Sequence, residues 1–389
     1  MQDDFSDSHW ANDLVRWDIF CRVVDNFGDI GVTFRLARQL VAEHGLSVRL
    51  WLDDMSSLHA LWPEASADAA QQWVGGVEVR RWDDPLAQVE PAQVVIEAFA
   101  CGLPDSYLNA MALLEAKPVW INLEYLSAEE WVDECHGMAS RHPRLPLTQY
   151  FFFPGFSRAS GGLLREQALL SDRRQFQASR AMQQVFWQGL GIAPAGNELK
   201  ISLFGYANIA VNGLLEKWAG GERRMLVVVP ENRLLRNIEQ AVGRELRVGD
   251  TVEHGSLRLV VLPFLRQDQY DRLLWACDIN FVRGEDSFVR AQWAGVPLIW
   301  QIYLQQEEAH LIKLDAFLDR YRGNMPLDAS LAVLQFWHGW NVQDLSGEAW
   351  DAYVEQLPAL RQHAAAWADG LAQSASLAEQ LISFCKNRV

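Results

Sequence analysis

The sequence predicts an α/β chain built from two Rossmann-like domains facing a cleft, and three observations carry that expectation. Apolar runs rich in β-branched and aromatic residues alternate with segments of helical period, the pattern of a mostly parallel sheet. The alternation begins twice, and an irregular stretch containing Pro, Gly, Ser and Arg at 154–176 separates the two series. A length of 389 residues suits two large domains.

The first series opens with WDIFCRVV (17–24), a strand, and the turn DNFGDIG (25–31) follows it. VTFRLARQLVAEHG (32–45) has helical spacing and ends on Gly45, a natural C-cap. SVRLWLDD (47–54), VEVRRW (77–82), VVIEAF (94–99) and PVWINLEYL (118–126) are further strands. The second series runs through ELKISLFGY (198–206), RRMLVVVPE (223–231), LRLVVLPFL (257–265), CDINFVRG (277–284) and PLIWQIY (297–303). The Ala- and Leu-rich stretch 347–387 is helical, and its end is expected to pack back onto the first domain. The expected division is 1–184, completed by about 362–389, and 185–361.

Composition excludes several classes. Half the residues are apolar and 22% are charged, as in an ordinary globular chain. The net charge of −16 repels phosphate backbones and anionic lipid, so neither nucleic acid nor a membrane is an expected partner. No apolar run approaches the ~20 residues of a membrane helix. The N-terminus, MQDDFSDSHW, lacks the basic and apolar regions of a signal peptide. Five scattered cysteines without a CxxC pair read as reduced thiols, which fits a cytoplasmic location. Most of the 17 Trp residues are expected to fill cores.

Motifs of several enzyme classes are missing. There is no GxGxxG, GxxxxGK[ST], GxSxG, HExxH or paired CxxC, and the nine His are scattered, so no metal and no bound cofactor is expected.

Two loops carry the chemistry. In DNFGDIG, Asp25 and Asp29 stand four residues apart, and Gly28 and Gly31 let backbone come close to a bound molecule. A loop leaving the first strand lies beyond the carboxyl end of the sheet, where open α/β folds bind ligands. Two carboxylates there can hold a cation and accept a proton. The structural alternative is that Asp29 caps a helix starting near Ile30 while Asp25 stabilises the turn.

The second loop lies in FVRGEDSFVRAQWAGVPLIW (281–300). A strand runs into Gly284-Glu285-Asp286-Ser287, then a helix runs to Gly295. Asp286 or Ser287 is the expected N-cap, and the helix N-terminus offers N–H groups to a phosphate. Arg283 and Arg290 supply charge-assisted contacts. Phe204 and Tyr206, leaving the first strand of the second series, suit stacking on a base or sugar. Phe264 leaves the third strand, and Gln267 beside it suits reading a base edge. Strand–loop–helix–Gly–x–Pro in the second half of such a chain is how GT-B glycosyltransferases hold a sugar nucleotide.

At these residues the chain resembles the elongation factor P arginine rhamnosyltransferases, the EarP family. The stretches that carry the resemblance are WDIFCRVVDNFGDIGVTFRLARQL, LFGY, LPFLRQDQYDRLLWACDINFVRGEDSFVRAQWAG and PLIWQIYLQQEEAHLIKLDAFL, which span most of the chain. The resemblance implies a GT-B enzyme that transfers L-rhamnose from dTDP-β-L-rhamnose, a co-substrate, to an arginine of elongation factor P with inversion. The second domain would hold the donor and the first the protein acceptor. In that family the modification activates elongation factor P, which relieves ribosomes stalled on proline runs. The resemblance also places Glu285 among the essential residues. A GT-B transferase acting on a small-molecule or lipid acceptor is the alternative.

The chemistry asks for two carboxylates. A guanidinium, with a pKa above ~12, is a poor nucleophile while protonated. One carboxylate can hold its planar fork while the other takes the proton. Asp29 is assigned the general base and Asp25 the orienting partner, roles that coupled carboxylates can exchange. Ser287, the amides of 285–287 and Arg283 are expected to stabilise the departing diphosphate. Glu285 and Asp286 are left to sugar hydroxyls, the ribose or backbone N–H groups.

Overall fold

The computed structural model describes residues 15–25, 27–82, 86, 89–304, 309–386 and 388. Asn26 and positions 305–308, inside stretches singled out above, lie outside them. The chain divides into two compact units, 1–166 with 375–389, and 167–374.

The first unit holds an eight-stranded sheet. Its strands are β1 (Arg16–Cys21), β2 (Ser47–Leu52), β3 (Gln71–Val74), β4 (Val77–Arg81), β5 (Val94–Ala98), β6 (Val119–Leu123), β7 (Ala139–Arg141) and β8 (Thr148–Phe152). They lie in the order β3-β4-β2-β1-β5-β6-β8-β7. Only the edge pairs β3–β4 and β7–β8 are antiparallel. β1 is flanked by β2 and β5, so the winding reverses between β1 and β5. Helix α1 (Gly28–His44) follows β1 and ends on Gly45 in the left-handed region, φ 66°.

The core beneath this sheet is aromatic. Phe20 stacks on Trp51 at 5.6 Å and meets Trp82 and Tyr107 edge-on. One charge is buried among these rings. Asp18 accepts from Arg49 Nε at 2.6 Å and Nη2 at 2.5 Å, from Trp51 Nε1, from the Ala92 N–H and from the Tyr107 hydroxyl. A carboxylate removed from water needs this many donors.

The second unit repeats the plan with six strands: β9 (Leu199–Leu203), β10 (Met225–Pro230), β11 (Thr251–His254), β12 (Leu257–Leu262), β13 (Ile279–Arg283) and β14 (Leu298–Gln301). Their order is β11-β12-β10-β9-β13-β14, and only β11–β12 is antiparallel. The winding reverses between β9 and β13. Trp218, Trp337 and Trp340 are fully buried, Trp340 edge-on to Phe281 at 5.0 Å.

The expected boundaries at 184/185 and 361/362 move. The helix Leu169–Ala178 belongs to the second unit because Arg173 Nη1 and Gln177 Nε2 donate to the carbonyls of Trp293 and Ala294. Those carbonyls end a helix and need donors. The helix Leu357–Leu371 stays with that unit through Arg361 to Asp278 and Trp367 to Gln292. Only the last stretch returns to the first unit. Leu377 N–H donates to Leu163, and Phe384 packs edge-on against Tyr150 and Phe152. The short strands β3, β7, β8 and β11 carry no alternation strong enough to announce them. Among the described residues, no helix is long and apolar enough to cross a membrane.

Candidate functional site

In open α/β sheets, ligand sites lie beyond strand carboxyl ends where the winding reverses. Both loops singled out in the sequence leave such a point. The β1 exit loop carries Asp25 and Asp29. The exit loops of β9 and β13 carry Phe204 to Tyr206 and Gly284 to Ser287.

The first loop is held by its own carboxylate. α1 begins at Gly28, earlier than expected, because the Gly28 N–H already donates to the Asp25 carbonyl at 2.6 Å. Asp29 therefore sits in the first helical turn and does not precede it. Its Oδ2 reaches back to accept from the N–H groups of Val24 at 2.8 Å and Asp25 at 2.9 Å. The capping expectation is thus corrected in detail: Asp29 secures the entering loop, not the helical N–H groups of a cap. Its Oδ1 accepts from the Tyr125 hydroxyl at 3.3 Å. Asp29 is 2% exposed. Burial pushes its carboxyl above the ordinary carboxylate range and the Asp25 charge adds to this, while the two backbone N–H bonds and the Tyr125 hydroxyl oppose it. A raised carboxyl is a stronger base, as a proton acceptor requires.

Gly28 is the close-approach position. A Cβ there would lie 2.7 Å from Asp25 Oδ2. Its φ lies outside the left-handed region and the atom a Cβ would meet is the end of a flexible side chain, so alanine is accommodated without backbone strain. Gly28→Ala is therefore expected to melt no lower than wild type. On the orienting role assigned to Asp25 from the sequence, it should nevertheless turn over ~10- to 100-fold more slowly, because Asp25 is pushed aside. Parallel thermal melts and initial rates check both halves.

The second loop is shaped by Gly284, whose φ of +60° is the left-handed region where a side chain is strained. The helix Asp286–Ala294 follows and ends on Gly295 at φ 62°. Its N-cap position is Glu285, half-buried and without a capping side-chain bond, where Asp286 or Ser287 was expected. Ser287 instead turns inward. Its hydroxyl accepts from the Arg283 N–H at 3.1 Å and donates to the Arg283 carbonyl, tightening the turn.

Arg283 is 7% exposed, and its guanidinium lies over the rings of Phe204 at 4.8 Å and Tyr206 at 4.6 Å. The sequence placed these rings against a base or sugar; in the folded unit they carry a cation. Phe264 is half-buried at the exit of β12. Gln267 begins the helix Gln267–Ala276, and its Nε2 points to Asp286 Oδ2 at 3.4 Å. Asp286 also accepts from Arg290 Nε at 2.8 Å, and Arg290 Nη1 donates to Asp271 at 2.8 Å. Arg290 is 3% exposed, so its charge balances these two acids and does not await a phosphate.

Three residues of these regions escaped the sequence reading. Tyr125 reaches Asp29, and Phe99 stacks on Tyr125 at 4.3 Å with the ring planes 15° apart. Phe99 follows β5, which flanks the first winding reversal, and Tyr125 follows β6, the next strand, which is the signal that points to them. Gln301, 4% exposed, accepts the Tyr206 N–H at 2.8 Å through its side chain, while its carbonyl accepts the Gly284 N–H at 3.2 Å. It thereby ties the two loops of the second unit together. Among the described residues, no group of three or more His, Cys, Asp or Glu is arranged to hold a metal ion.

Known proteins match this chain over nearly its whole length. The chain is 50% identical over 372 residues to a protein-arginine rhamnosyltransferase of Pseudomonas putida, which covers 95% of this chain and 98% of the relative. A solved structure from work on EarP-mediated arginine glycosylation of translation elongation factor EF-P superposes with a TM-score of 0.71 at 38% identity, covering 96% of this chain and 99% of that one. The glycosyltransferase VinC, solved with dTDP, shares the GT-B fold at a TM-score of 0.52 and 11% identity, covering 95% of this chain and 98% of its own. The profile of the family described as Elongation-Factor P (EF-P) rhamnosyltransferase EarP matches residues 17–386, and the chain belongs to that family.

Proposed function

We propose that this chain transfers L-rhamnose from dTDP-β-L-rhamnose to an arginine side-chain nitrogen of elongation factor P, inverting the anomeric centre and using no metal ion. The observation that carries the reading is the division of chemistry between the two winding reversals. One holds a buried carboxylate, its pKa raised by burial, beside a second carboxylate. The other holds an arginine on two aromatic rings beside the start of a helix.

Each half answers one need of the reaction. Asp25 and Asp29 bind the guanidinium edge, localise its charge and accept its proton as the nitrogen lone pair bonds to the anomeric carbon. The bond from that carbon to the diphosphate oxygen breaks, and its electron pair leaves with dTDP. Arg283 and the N–H groups at the start of the helix at Asp286 offset the developing charge. Glu285, at the helix entrance, takes the donor sugar in this reading. A single displacement inverts the centre. Modified elongation factor P then acts in the relief of stalling on proline runs.

The test is transfer to purified elongation factor P in excess EDTA, with the anomeric configuration of the product read by NMR. An α-linked rhamnosyl-arginine at an undiminished rate is expected. A β-linked product, or loss of activity restored by added divalent metal, would overturn the mechanism.

A further inference from the structure

The exit loop of β5 is strained, and it is strained beside Asp29. Phe99 and Ala100 are consecutive residues in the left-handed region, at φ 59° and 51°, and neither is glycine. Such a conformation persists only where surrounding bonds over-determine it, and it gathers at functional sites. The surrounding bonds are present. Phe99 N–H donates to Leu123, Ala100 N–H to Asn122 Oδ1 at 3.1 Å, and Gly102 N–H to the buried Glu97 at 2.8 Å. This held turn lays the Phe99 ring flat on Tyr125, whose hydroxyl meets Asp29. Both rings are half-buried, so the stack is not sealed into the core.

We infer that Tyr125, backed by Phe99, is the aromatic face on which the acceptor guanidinium lies while Asp25 and Asp29 take its N–H edge. The inference rests on the arginine-modifying reading above and names residues that recognise the acceptor. A guanidinium is planar and delocalised, and it stacks on an aromatic ring while forking to carboxylates in its plane. An electron-rich phenol ring beside two acids offers both contacts. Phe99 acts through Tyr125 and is a positioning residue. The Tyr125 hydroxyl also orients Asp29 and favours its charged form. The other titratable groups facing Asp29 are Asp25, from its own loop, and Cys21 of β1. Burial pushes the Cys21 thiol well above its ordinary value, so it stays neutral through the working range.

Steady-state kinetics with elongation factor P and dTDP-rhamnose test the inference on three variants. Tyr125→Leu is expected to raise the KM for elongation factor P about tenfold while the donor KM stays within about twofold of wild type. Phe99→Gly removes the ring and the backbone strain together. It should melt no lower than wild type, yet also raise the acceptor KM. Tyr125→Phe keeps the ring and should keep the acceptor KM. Loss of the hydroxyl should move the acid limb of its kcat/KM profile to higher pH, because a donor that stabilised the carboxylate is gone. Wild-type acceptor KM in either Tyr125→Leu or Phe99→Gly would overturn the inference. A wild-type enzyme that transfers no sugar would instead overturn the transferase reading beneath it.

Discussion

Asp29→Asn is expected to slow sugar transfer about a thousandfold, within the range of a lost general base, while donor affinity stays unchanged. The substitution is close to isosteric. The new amide oxygen can still accept the N–H groups of Val24 and Asp25 that Asp29 Oδ2 accepts now. The loop should therefore keep its shape, and the loss reports the proton acceptor. Stability should not fall. Because burial raises the Asp29 pKa above its unfolded value, ionisation at neutral pH weighs against the folded state, and removing the charge relieves it. The same shift sets the pH dependence. The reaction needs the ionised form, so kcat/KM for the acceptor is full above the raised pKa of the free enzyme and falls as pH drops through it. That acid limb should lie above the ordinary carboxylate range. Rapid-mix rates, calorimetric titration of the donor and a thermal melt separate the three expectations. A variant with near wild-type turnover would remove Asp29 from the base role.

Asp18→Ala is expected to cost about 3–5 kcal/mol of folding stability, the range for breaking a buried ion pair. Asp18 is fully buried and accepts from five donors, among them two guanidinium nitrogens of Arg49. Without it, Arg49 keeps only the Glu90 carbonyl at 2.9 Å among its named partners. The guanidinium would remain among aromatic rings without its hydrogen-bonded counter-ion, the Glu78 charge on the neighbouring strand being its remaining acidic partner. Burial works against the Arg49 charge, and Asp18 overcomes this to hold its pKa above the ordinary value. Denaturant unfolding measures the loss. The double variant Asp18→Ala with Arg49→Met should recover part of it, because both charges are then gone. No recovery would mean that the cost lies in packing.

Much of this molecule is legible in the sequence. β1, β2, β5 and β6, and β9, β10, β12 and β13, are central apolar strands that bury both faces, and their runs show it; β14 is an edge strand but equally buried. Gly45 and Gly295 announce helix ends because only a left-handed residue closes them there. The two chemical loops are found because each follows such a strand. What escaped depends on partners distant in sequence. Arg290 reads as a phosphate ligand until the fold brings Asp271 and Asp286 to it. The place of Arg283 over the Phe204 and Tyr206 rings is likewise not announced by their sequence. Tyr125 reads as a strand residue, yet β6 ends at Leu123 and the Tyr125 hydroxyl meets Asp29. The unit boundaries moved because Arg173 and Gln177 serve carbonyls more than a hundred residues away.

The proposed reaction carries a deoxyhexose from a nucleotide donor onto an arginine of elongation factor P. It is tested most directly by incubating the protein with elongation factor P and dTDP-β-L-rhamnose and recording the intact mass of the acceptor. The expected result is a gain of one deoxyhexose, mapped by peptide fragmentation to a single arginine and absent with Asp29→Asn. An unchanged acceptor mass, or a sugar mapped to any other residue type, would contradict the account.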